Sequence, residues 1–470
     1  MSADYARPAA NRGLFACYLA LIFWTPIPLG SNRPWAWAIL ELWVFVLATW
    51  WLIAFARGKT HRNPALNGAW PALLCGGLWL GYVWLQLLPL PLELLRELSP
   101  EAARWHAAAA WPVPASAAPL TLDQYGTLHG ALKSAAYVVF FALSLALLDR
   151  RQRIAAAAYT LVASGFAQAV YGGLSALASE HGAVAHGSFL NRNHFAGYLE
   201  MCLSMGLGVL IASLTGEVSH TWKQFFRNTI AWLLSRKMQL RLALAVMVIA
   251  LVLSRSRMGN IAFFASMLVT GGIGFLLSKR APRSMVMLLA TLVVIDIFIV
   301  GAYFGVGRVI ERIEQTRIET ERREAVRAVE VCKDFPVFGS GLGSFHMVFP
   351  RYSGADLPVR YTHAHNDYVE FACETGIVGF ALLGLLVLMS FIAALRAQFV
   401  RHDPLLRGIS FGSMMAIIAL MIHSLVDFNL QIPANALAFM LVLAFGWISL
   451  YHDREGHSRE TPDEEQDDSA

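Results

Sequence analysis

Apolar runs of close to 20 residues recur along this chain, and no other feature restricts its fold as strongly. They fall near 13–31, 35–56, 70–88, 131–148, 154–176, 194–214, 239–254, 258–277, 284–305, 369–394, 408–426 and 434–451. A bilayer core about 30 Å thick needs roughly 20 apolar residues per helix. Only 15% of the residues are charged and the mean hydropathy is +0.51, too little charge to cover the surface of a soluble protein of 470 residues. The expected fold is therefore an all-α polytopic membrane protein of about twelve transmembrane helices.

The charges between the runs give the orientation. Arg57, Lys59 and Arg62 follow the second run, and Arg150, Arg151 and Arg153 the fourth. Lys223, Arg227, Arg236 and Lys237 follow the sixth; Lys279, Arg280 and Arg283 the eighth; Arg396, Arg401 and Arg407 the tenth. Every second connection is thus basic. The positive-inside rule places those connections, and both termini, in the cytoplasm, and it absorbs the net charge of +5 without any nucleic-acid partner. The run near 13–31 lacks a small-residue cleavage site and reads as a retained helix. The expected division is a membrane domain over 1–305 with nine helices, a large loop over 306–368 between helices 9 and 10, a second membrane part over 369–451, and a disordered cytoplasmic tail over 452–470. Residues 219–236, aromatic and basic, read as an interfacial helix. Residues 89–130 read as an amphipathic segment on the opposite side. The five cysteines show no CxxC and no zinc spacing, so neither a disulfide framework nor a metal site is expected.

Against this background the stretch THAHNDYVEFACETGIVGF, residues 362–380, is dense in polar groups beside an apolar run. Asp367 and Glu370 have capping-box spacing, which makes Asp367 the expected N-cap and puts His365 just before the helix. A histidine so placed is held yet open to a ligand, and the residue type titrates near neutral pH. A well-capped helix whose histidines face interfacial water would account for the same residues.

Arginines on the wrong side of the positive-inside rule sharpen the choice. Arg192 and Asn193 precede the sixth run in GSFLNRNHFAGYLE, and Arg255 and Arg257 follow the seventh in LSRSRMGN. The guanidinium fork matches phosphate oxygens with two parallel hydrogen bonds, so the cluster suits an anionic head group or pyrophosphate; a single arginine there could equally snorkel to phospholipid. HSLVDFNLQIPAN sets His423 one turn before Asp427, a spacing that allows the two to pair, and Pro433 implies a tight or re-entrant segment. Glu41, Glu200 and Asp296, inside apolar runs, read as packing or hydrogen-bonding groups. GSGLGSF lacks a following GK[ST] and reads as a turn at the membrane surface. There is no metal-binding DxD, no Ser-His-Asp arrangement and no nucleotide motif. An enzyme with such a face needs a substrate that arrives activated, and a polyprenyl-pyrophosphate-linked sugar fits. A transporter would instead keep its polar site near the midplane, on interrupted helices in repeated halves.

Taken together, HNDYVEFACETGIVG, GSFLNRNHFAGYL, SRSRMG, DFPVFGSGLGSF and HSLVDFNLQIPAN occur in an order that resembles the O-antigen ligase and O-antigen polymerase superfamily of bacterial glycan-assembly membrane proteins. The resemblance covers most of the chain except its N-terminal third. It implies a GT-C-like fold with a large periplasmic loop, in the bacterial inner membrane, and glycosyl transfer that needs no metal and no cofactor. The implied donor is an undecaprenyl-pyrophosphate-linked glycan, and the acceptor another glycan or lipid A-core. Membrane lipids, a flippase and a chain-length regulator are the implied partners. By position, His365 matches the family's catalytic histidine. Arg192 and the SRSR pair (Arg257 the better match, then Arg255) correspond to pyrophosphate arginines, with Arg322 or Arg323 as a further loop arginine. Asn193, His363, Asn366, Asp367, Glu370, His423 and Asp427 would support them.

Overall fold

The computed structural model describes residues 12–60, 62–110, 116–178, 184–213, 236–277, 327–353 and 361–452. Eleven of the twelve apolar runs are helices there. The run near 284–305, residues 219–235, Asp296, Arg322, Arg323 and the tail beyond 452 lie outside the described residues. The helices include α1 (Arg12–Trp24), α2 (Pro34–Ala56), α3 (Pro64–Gly68), α4 (Trp70–Leu87), α5 (Leu92–Leu98), α6 (Pro100–Ala109), α7 (Gln124–Leu147), α8 (Arg151–Leu177), α9 (Arg192–Ser213), α10 (Arg236–Leu253), α11 (Arg257–Leu277), α12 (Asp367–Val400), α13 (Pro404–His423) and α14 (Pro433–Tyr451), with further short helical stretches over 327–334 and Phe345–Val348 in the large loop. Eight of them, α2, α7, α8, α9 and α11 to α14, are long and apolar enough to cross a bilayer. Sheet among the described residues is limited to an antiparallel pair, Leu90–Pro91 with Ala117–Ala118. The protein is an all-α polytopic membrane protein.

Caps explain several boundaries. The Asp123 side chain accepts from the Gly126 amide at 2.9 Å, so α7 starts at Gln124, ahead of the apolar run at 131, and its first turns are polar. Asp403 caps α13 in the same way, with Pro404 at the first helical position. Pro433 likewise opens α14, after a tight 3-10 turn at Asn429–Gln431.

The two rims of the bundle make different contacts. On one, Asn63 Nδ2 donates to the Leu145 and Leu148 carbonyls (2.7 and 3.2 Å), Arg151 pairs with Asp403, and Arg401 donates to the Leu450 carbonyl. These contacts join the basic connections after α2, α7 and α12 to the end of α14. On the other, Ser188 Oγ donates to the Pro26 carbonyl at 2.6 Å and the Asp367 amide to the Asp427 carbonyl at 3.1 Å. Helices α9, α13 and α14 are the most buried spans. α9 and α13 cross closely because small residues meet: a Cβ on Gly412 would stand 2.8 Å from the Ser204 carbonyl oxygen.

Above the second rim, both long connections share one small core that includes Leu95, Leu120, Val331, Phe345, Phe349 and Cys373. It sits on a break in α12. Gly376 adopts φ 58°, ψ −171°, a conformation open to glycine, and a Cβ there would overlap the Val337 carbonyl. The break frees backbone groups that a continuous helix would pair internally. Residues 336–341 take them up. The Ile377 amide donates to the Pro336 carbonyl (2.9 Å), and the Ser340 and Gly341 amides donate to the Cys373 and Glu374 carbonyls (both 2.9 Å). From α4, Tyr82 donates to the Thr375 carbonyl at 2.6 Å and Gln86 to the Phe338 carbonyl at 2.9 Å. GSGLGSF is thus a strand of loop locked to a helix break, not merely a surface turn. Cys332 and Cys373, 41 residues apart, form a disulfide with Cα atoms 4.2 Å apart. The expectation of no disulfide fails because it rested on local spacing, whereas the fold pairs a loop cysteine with one in an apolar run.

Candidate functional site

Thr362–Phe380 enters the site through the first turn of α12. Asn366, not Asp367, is the N-cap: its Oδ1 accepts from the Val369 amide at 3.1 Å and its Nδ2 donates to the Leu425 carbonyl at 2.7 Å. The capping-box reading is therefore displaced by one residue. Asp367 is buried instead, and its Oδ2 accepts from Ser424 Oγ (2.7 Å) and the Leu430 amide (3.1 Å). Glu370 reaches back to the Ala364 amide and to His363 Nδ1, both at 2.8 Å, and folds residues 363–366 into a tight turn. That turn holds His365 at φ 46°, in the left-handed region where non-glycine residues are strained and cluster at functional sites.

The imidazole of His365 is 21% exposed, with Nδ1 3.9 Å from Asp427 Oδ1 and its edge against Phe428. His363 stacks on the same Phe428 ring at 4.2 Å between centroids. Asp427 is the hub. His194 Nε2 stands 3.5 Å from Oδ1, and His423 Nε2 4.0 Å from Oδ2. Burial disfavours its charge, but His194, His423 and the Phe428 amide outweigh that and hold the carboxyl well below the usual carboxylate range. His423 does not hydrogen-bond Asp427; its Nδ1 meets Glu200 Oε1 at 2.8 Å, with both side chains fully buried. Glu200, read from sequence as a packing group, thus belongs to the site. Asp427 Oδ2, His423 Nε2 and Glu200 Oε2 lack direct hydrogen-bond partners among the described residues. A cluster kept only for stability would not leave such atoms buried and open.

Two of the motifs interlock around this hub. Asn435 Nδ2 donates to the His194 carbonyl (3.0 Å) and to Asn429 Oδ1 (2.9 Å). Asn191 Oδ1 accepts from the Asn193 amide at 2.9 Å and so starts α9, with Arg192 at its first residue and half-buried. Asn193 serves the helix start. The SRSRMG motif makes the neighbouring start: Ser256 Oγ accepts from the Gly259 amide at 3.3 Å, Arg255 bends the chain at φ 52°, and Arg257 opens α11. The two starts abut, since a Cβ on Gly259 would lie 2.7 Å from that of Ala196 and 3.1 Å from Glu200 Oε1. Arg255 is half-buried and Arg257 exposed. Helices α9, α11, α12 and α14 all begin at this rim, and their N-termini add positive potential suited to an anion.

Sequence reasoning therefore located His365, His363, Asn366, Asp367, Glu370, His423, Asp427, Arg192, Asn193, Arg255 and Arg257 at one rim, while Arg322 lies outside the described residues. It missed His194, Glu200 and Phe428. The signal for His194 was its place beside Arg192 and Asn193; for Glu200, two turns further into α9, it was a carboxylate inside an apolar run, with nothing in the sequence to tie it to the cluster. Among the described residues no group of three or more His, Cys, Asp or Glu side chains is arranged to hold a metal ion.

A family model described as O-antigen ligase matches residues 242–384, which include SRSRMG, DFPVFGSGLGSF and HNDYVEFACETGIVG. No curated protein matches the chain.

Proposed function

Residues 242–384 belong to the O-antigen ligase and polymerase superfamily, and from that premise we propose that the protein is a glycosyltransferase of the periplasmic face of the bacterial inner membrane. It transfers a glycan from an undecaprenyl-pyrophosphate donor to a sugar hydroxyl, in O-antigen or exopolysaccharide polymerisation. The observation that carries the reading is the approach of His365 and Asp427 to two abutting helix starts that bear Arg192 and Arg257. In that reading, His365 takes the proton of the acceptor hydroxyl as its oxygen attacks the donor's anomeric carbon. The bond from that carbon to the pyrophosphate oxygen breaks, and the charge passes to the leaving polyprenyl pyrophosphate. Asp427, whose Oδ1 lies 3.9 Å from Nδ1, stabilises the imidazolium that forms. Arg192 and Arg257, with Arg255 beside them, bind the pyrophosphate and stabilise its growing charge; Arg322 is a further candidate. The basic rim and the positive-inside rule support a cytoplasmic placement of that rim, and hence a periplasmic site.

The description of the matching family favours a second acceptor, lipid A-core, which would make the protein a ligase. The glycan profile of a deletion strain separates the two. Single-repeat capping indicates a polymerase; uncapped lipid A-core with lipid-linked polymer accumulating indicates a ligase. An unchanged profile would refute both.

A further inference from the structure

The Cys332–Cys373 disulfide lies where the large loop meets the broken helix. Cys373 is fully buried one residue before Glu374, and its carbonyl accepts from the Ser340 amide at 2.9 Å. Cys332 lies in a helical stretch over residues 327–334 and is half-buried. Around the pair, Phe335 and Phe345 pack in the small core above the rim. The cross-link therefore joins the loop helix to α12 about two turns after its N-cap Asn366, which follows His365. Disulfides persist in oxidising compartments and are rare in the cytosol.

We propose that the protein matures by oxidation: residues 332–341 are locked against α12 only after a periplasmic thiol–disulfide oxidoreductase has joined Cys332 to Cys373. This rests on the reading that the His365 rim faces the periplasm. Cys332, the more accessible of the two, attacks the oxidant's disulfide as thiolate and forms a mixed disulfide, releasing one oxidant thiolate. The Cys373 thiolate then attacks the Cys332 sulfur and displaces the second. Two protein thiols are oxidised and one oxidant disulfide is reduced to a dithiol, whose two thiolates take up the two protons the protein thiols lose. A closed 41-residue loop removes much of the freedom of an unlinked one. The lock thus holds residues 336–341 against the break at Gly376 and keeps the first turn of α12 in register.

The test uses the purified full chain, counting thiols with a maleimide mass tag after denaturation. Cys17, Cys75 and Cys202 are free, so the oxidised protein should take three tags and the reduced protein all five cysteines. Cys332→Ser should take four tags without reduction. Five tags on the unreduced wild type, purified from an oxidising periplasm, would overturn the proposal whatever the protein's activity. Reduction to five tags should then cut glycan transfer at least fivefold and speed proteolysis between residues 333 and 372, with both reversed when cystine restores the three-tag state. Unchanged proteolysis and transfer at five tags would also overturn it. A protein that shows the three-to-five tag change and faster proteolysis yet transfers no glycan when oxidised would refute the proposed function and leave the lock standing.

Discussion

The two rims of this molecule both carry charge, but they use it in opposite ways. On the basic rim, Arg151 and Asp403 pair at the surface with side chains 56% and 32% exposed, and Arg401 ties off the end of α14 through a backbone carbonyl. On the other rim the charged groups face one another: Glu200 and His423 are fully buried, Asp427 is 1% exposed, and three histidines surround that single carboxylate. Exposed pairs of the first kind contribute about 0–1 kcal/mol. Buried groups of the second kind are costly unless mutually satisfied, and here several atoms are not. The first rim follows from topology. The second requires a chemical reason.

Substitutions should divide along the same line. Asp427→Asn should slow glycan transfer roughly tenfold to a hundredfold at saturating donor, since the imidazolium loses its carboxylate. The same variant tests the electrostatics. A carboxyl whose folded pKa is depressed adds stability that is complete above its unfolded value, about 3.9, and is lost as pH falls through the folded one. The gap in thermal unfolding between wild type and Asp427→Asn should therefore stay constant from pH 8 to pH 5 and close only in stronger acid. A gap that closes between pH 7 and 6 would contradict the assignment. Next, Arg192→Ala and Arg257→Ala should each raise the donor concentration for half-maximal rate about tenfold, the worth of one charge-assisted contact. Arg255→Ala, measured beside them, shows which member of the SRSR pair meets the pyrophosphate. Gly376→Ala forces a side chain into a left-handed residue against the Val337 carbonyl. It should cost about 2 kcal/mol or more, read as a lower unfolding midpoint in detergent. The smallest effect is expected on the basic rim: Arg151→Ala should change transfer less than twofold. A loss there comparable to Asp427→Asn would erase the distinction between the rims.

Much of this was legible in the sequence, because hydropathy and charge act over whole segments. The spans, their alternation and the polar stretch at 362–380 all follow from composition in windows. What escaped depends on single residues meeting across the fold. Asp367 and Glu370 have the spacing of a cap, yet the cap is Asn366, and Glu370 serves the preceding turn. Gly376 sits in an apolar run, where nothing local marks a break; the break exists because residues 336–341 supply hydrogen-bond partners for it. Glu200 looks like any carboxylate in a span until His423, 223 residues away, arrives beside it. The Cys332–Cys373 pair is hidden for the same reason.

The central claim is that His365 removes the proton that frees the attacking oxygen. Its direct test is transfer by the purified chain from a polyprenyl-pyrophosphate-linked oligosaccharide to an acceptor glycan, comparing wild type with His365→Ala at equal amounts of folded protein. Wild type should release polyprenyl pyrophosphate and a lengthened glycan, and the variant should be slower by about 10²–10⁴-fold. A variant that transfers at the wild-type rate would contradict the account.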